Sequence, residues 1–70
     1  MKKYSSALII WYSFEKKITY FMPEQEEKSI FETNWQILSE LLNALSNDGW
    51  KIVTHTIEKD VHYWNLQIKN

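Results

Sequence analysis

The run His55-x-x-Glu58-x-Asp60-x-His62 puts two imidazoles and two carboxylates within eight residues, and these are zinc-ligand types. On a hairpin, however, Ile57 rather than His55 lies nearest to opposite His62, so the two histidines are not set on one face at ligand spacing. The run reads as turn carboxylates and two strand histidines, with no metal site. Ser5 and Ser6 are candidate nucleophiles, but no Gly-rich elbow or oxyanion loop surrounds them. Gly49 is the sole glycine, so no loop can cradle a phosphate as nucleotide hydrolysis or dinucleotide chemistry requires. Without cysteine there is no thiolate ligand, thiol nucleophile or disulfide, and the chain fits a reducing compartment. These absences predict a protein that is not an enzyme and needs no cofactor.

What remains is binding. Seventy residues make one domain, 1–70, with 44% hydrophobic residues and four Trp. The apolar run Ala7 to Tyr12 is far too short to cross a membrane. Met1-Lys2-Lys3 ahead of it mimics a signal peptide, yet residues 13–17 offer no cleavage site, so a cytoplasmic protein is expected. Charge sums to +3 over residues 1–23, −5 over 24–48 and +1 over 49–70, for a net −1. A dipolar chain with pI near 6.1 and no Arg argues against DNA as a partner and leaves single-strand nucleic acid a third option. A domain this small gains about 110 kcal/mol from apolar burial against about 105 kcal/mol of ordering. A homo-oligomer is therefore expected.

The elements that position these residues follow from periodicity. Tyr4 to Phe14 alternates with an apolar even face, Tyr4, Leu8, Ile10, Tyr12 and Phe14, and reads as a strand. A three-residue turn, Glu15-Lys16-Lys17, leads to a second strand, Ile18 to Met22, with Phe14 opposite Ile18 and Trp11 opposite Phe21. Ser29-Ile-Phe-Glu32 and Thr33-Asn-Trp-Gln36 are both capping boxes, so a helix starts at one of them. Its apolar half carries Ile30, Phe31, Trp35, Ile37, Leu38, Leu41, Leu42, Ala44 and Leu45, and Asp48-Gly49 closes it. Trp50 to Ile57 and His62 to Lys69 are the last two strands. An odd-length turn between them buries Trp50 and Ile52, and an even-length one buries Val53, His55 and Ile57. The odd one is preferred because Asp60 tolerates a left-handed position. The expected fold is α+β: a four-stranded antiparallel sheet, β-β-α-β-β, with one helix on one face.

Leu41-Leu-Asn-Ala-Leu45, then Gly49-Trp-Lys-Ile-Val53, then Trp64-Asn-Leu-Gln-Ile68 form a pattern. Over residues 36–70 it resembles a small bacterial and phage domain family of unknown function. That family has a Leu-rich helix running into Gly-Trp-Glu-Leu-Val and a final strand ending in a basic residue. The longer first hairpin and the acidic segment Glu24 to Glu32 depart from it. The resemblance implies a phage or prophage accessory protein and brings no catalytic residue.

If the helix covers the even face of the first hairpin, Ala7, Ile9, Trp11 and Phe21 face away from it, with Tyr63, Asn65 and Gln67. Val53, His55 and Ile57 join them in the preferred register. Such a face is too apolar to stay in water as one patch. Trp11, Phe21, His55, Tyr63, Asn65 and Gln67 are the expected contact residues. The function expected is sequestration of a small anionic, nucleotide-like ligand by stacking on Trp11, Phe21 or Tyr63, with Lys2, Lys3, Lys16, Lys17 and Lys51 as anion donors. The alternative is a protein-binding inhibitor or adaptor using the same face.

Overall fold

The computed structural model describes residues 4–23 and 26–69. Lys2, Lys3 and the Glu24 end of the acidic segment lie outside them. The described elements are β1 (Tyr4–Tyr12), β2 (Lys17–Phe21), β3 (Lys28–Ile30), α1 (Trp35–Asn47), β4 (Lys51–Glu58) and β5 (Val61–Lys69). The fold is α+β, with α1 packed on one face of an antiparallel sheet of order β3-β2-β1-β5-β4. The sheet thus has five strands where four were expected. The added one, β3, pairs Ile30 with Ile18 and Ser29 with Thr19, whose hydroxyls lie 3.0 Å apart. Ser29 is therefore a strand residue rather than a helix cap, and Ile30 and Phe31 leave the helix's apolar half.

The first hairpin differs by one turn residue, with a large consequence. Trp11 faces Ile18 and Tyr12 faces Lys17, so the turn is Ser13 to Lys16, four residues, with Lys16 at φ 50. Side chains alternate with period 2, so this odd shift of register exchanges the faces. The apolar residues of β2 now pair with the odd positions of β1, and α1 covers Ala7, Ile9 and Trp11 instead of Leu8, Ile10 and Tyr12. Phe14 is 82% exposed at the turn. Backbone and hydroxyl donors of Ser13 both reach the Asp60 carbonyl, at 3.1 and 2.8 Å, tying this turn to the β4–β5 turn.

The helix starts within the second capping box, its cap one residue later than Thr33. Asn34 is the cap, its side-chain oxygen accepting from the Ile37 N–H at 3.0 Å, while the Thr33 N–H donates to the Lys16 carbonyl at 2.9 Å and pins the helix start to the first turn. At the other end Gly49 takes φ 101, the Gly49 N–H donates to Ser46 and the Trp50 N–H to Leu45. This paired closure needs a residue without a Cβ and turns the chain straight into β4. Leu38 is wholly buried among Ile9, Ile18, Trp64 and Leu66, with Leu41, Leu42, Leu45 and Trp50 packed around them.

The second hairpin turns on two residues, Lys59 and Asp60, with Lys59 rather than Asp60 left-handed at φ 55. The odd-length turn is thus overturned. Both strand phases nevertheless occur, because a bulge at Val53 switches them. Ile52 faces Leu66 before it, and His55 and Ile57 face Trp64 and His62 after it. All three point to the helix side of the sheet, yet every residue of β4 is exposed, because α1 does not reach over that strand.

Candidate functional site

The helix side of the sheet carries two cross-strand rows in which aromatic rings and isoleucines alternate or adjoin. One runs Ile18, Trp11, His62, Ile57 and the next runs Tyr20, Ile9, Trp64, His55 from β2 to β4. Directly opposite side chains in a sheet sit close enough to touch, so the hairpin register alone brings these rings together. His55 lies on Trp64 with ring centroids 4.4 Å apart and planes within 11°, and His62 is nearly parallel to the same indole at 5.5 Å. His55 Nε2 and His62 Nδ1 are 3.2 Å apart, one donating to the other. Trp35, at the first position of α1, stands over the group, 5.0 Å from Trp11, 6.1 Å from His62 and 6.3 Å from Trp64.

This cluster grades from core to surface. Trp64 is 4% exposed, Trp11 and His62 are half-buried, His55 is exposed and Trp35 is 53% exposed. A buried indole thus carries a stacked imidazole whose outer side is open, beside an open tryptophan. The positive end of the helix macrodipole lies at Trp35, with no acidic residue in the first turn to offset it. Such a shelf can stack a planar ring and attract an anionic group attached to it. A separate surface cleft is bounded by Glu15, Lys16, Phe31, Glu32, Thr33 and Asn34.

The six expected contact residues do not share one face. Trp11 and His55 belong to the helix side, where Trp11 is packed against the core, its Nε1 buried without a hydrogen-bond partner among the described residues. Phe21, Tyr63, Asn65 and Gln67 lie on the opposite side with Leu8, Ile10 and Tyr12. Asn65 donates to the Thr54 hydroxyl at 2.9 Å, bracing β4 against β5. The two histidines, expected apart, come together, because Ile57 faces His62 but the next inward residue, His55, leans across from the neighbouring row. Among the described residues no third His, Asp or Glu joins them in a ligand group. The sequence reading missed Trp35, His62 and Trp64 as site residues. A two-residue turn at Lys59-Asp60, which pairs His55 with Trp64, was the available signal.

No helix among the described residues is long and apolar enough to cross a membrane. Compared with protein-family models, curated proteins and solved structures, the chain has no match.

Proposed function

We propose that this chain is a non-catalytic binding protein that holds a small, anionic, nucleotide-like ligand by stacking its ring on the shelf formed by Trp35, His55 and His62. The observation that carries this reading is the stack of His55 on buried Trp64, open on its outer side beside a tryptophan that is more than half exposed. A ring exposed at that cost, fixed by a packed indole beneath it, presents a rigid platform with little entropy left to lose on binding. Acting as an oligomer in the cytoplasm belongs to the same reading, and the phage or prophage setting rests on the resemblance of residues 36–70. A second reading, a protein-binding adaptor using the opposite sheet face, is favoured by Phe21 and Tyr4, exposed there beside Tyr12 and Tyr63.

Titrating adenosine and guanosine monophosphates while following tryptophan fluorescence tests the first reading. Saturable quenching is expected, and Trp35→Ala should weaken it about five- to 150-fold, the range of one stacking contact worth about 1–3 kcal/mol. Because Trp35 is largely exposed, the variant should keep its circular dichroism spectrum. Absence of saturable quenching, or quenching untouched by Trp35→Ala, would reject the shelf as the ligand site.

A further inference from the structure

The two edges of the sheet are built differently. β3 is three residues long and carries Lys28, and a short, charged edge resists pairing. β4 runs eight residues without Pro or Gly, and its charges are confined to its ends, Lys51 and Glu58. Among the described residues no strand pairs with its outer side. Ile52, Val53 and Ile57 are 52%, 54% and 58% exposed along it. A long, apolar, unguarded edge is a template for another strand.

We infer that β4 pairs with β4 of a second copy of this chain, antiparallel, about a two-fold axis at His55. The register follows from the faces of the strand. A two-fold axis perpendicular to the sheet keeps both helices on one side, so residues that meet must share a face. Setting His55 against His55 of the second copy places Thr54 against Thr56, both on the side away from the helix. Beyond them Val53 is the extra residue of the bulge, so Ile57 meets Ile52, both on the helix side. Glu58 then meets Lys51, both on the other side. Symmetry repeats each of these pairs, giving two Ile–Ile contacts and two Lys–Glu contacts from one strand. Sliding the register by two residues sets Thr54 against Glu58 and leaves Lys51 and Ile52 without partners. A bulge by itself discourages edge pairing. Here it is what brings Ile52 onto the same face as Ile57.

The merged sheet also extends the aromatic shelf. His55 and Ile57 of the second copy stand beside His55 of the first, so a ring held there has a wall that one copy lacks. The interface does not depend on that ligand, and its test reads association alone.

Sedimentation equilibrium of the full chain across the micromolar range should give twice the 8.5 kDa chain mass. Lys51→Glu and Glu58→Lys each set like charges at both ends of the interface and should weaken the dimer about tenfold, two exposed pairs changing sign. Both residues are exposed, so each variant should keep its circular dichroism spectrum. Mixing the two single variants should restore association as a heterodimer, and the double variant should restore the homodimer. A monomer at every concentration overturns the inference. So does a dimer that ignores the single changes, since its contact must then lie on another surface, or single variants that weaken without rescue on mixing.

Discussion

Trp64→Ala is expected to leave the protein largely unfolded at room temperature. Trp64 is 4% exposed, faces Ile9 across the β1–β5 ladder and supports His55, His62 and Trp35. Removing a buried aromatic costs about 3–5 kcal/mol, the transfer energy of the ring plus the cavity left behind. A whole domain is stable by only about 5–15 kcal/mol, and a 70-residue chain sits at the low end. Urea unfolding followed by circular dichroism measures the loss. A cost under about 1 kcal/mol would mean that Trp64 does not sit in the core.

Trp11→Ala carries the second largest expected effect, a loss of about 2–4 kcal/mol, somewhat less because the ring is half-buried. On the sequence reading Trp11 stood on the uncovered face, and its removal would have spared the fold. The register Trp11 to Ile18 reverses that expectation, since the ring now lies under α1 against Trp35. Trp11→Phe should be milder. It removes an indole N–H that is buried and unpartnered among the described residues, a group whose desolvation costs about 1–3 kcal/mol. A thermal melt of Trp11→Ala matching that of the parent chain would return Trp11 to the surface.

What was legible in the sequence had strong local causes. The helix itself, though not which of two capping boxes starts it, the Gly49 closure and the alternation of Trp64, Leu66 and Ile68 followed from periodicity and from the one residue that tolerates φ 101. The faces of β1 and of β4 beyond its bulge were not legible, because the left-handed turn residues of the two hairpins are Lys16 and Lys59, and lysine does not announce that conformation. Each turn differed by one residue from the expected length, and one residue suffices to invert a strand. The bulge at Val53 carries no glycine, and β3 is too short for alternation to register. The shelf was misread for the same reason. Trp11 and His55 were picked out as contact residues, but their partners, Trp35, His62 and Trp64, depend on the registers and not on any local pattern.

The central claim is that the binding surface lies on the helix side of the sheet, where His55 and His62 stack on Trp64 beside Trp35 at the start of α1. Four tryptophans give four indole N–H signals in a proton–nitrogen correlation spectrum, and adding guanosine monophosphate reads the shelf directly. The account predicts saturable shifts of the Trp35 and Trp64 indole signals, a smaller one for Trp11, and none for Trp50, which packs on the core beside the Gly49 closure. Shifts confined to the backbone signals of Phe21, Tyr63 and Gln67, with the Trp35 and Trp64 indoles unmoved, would place binding on the opposite face and contradict it.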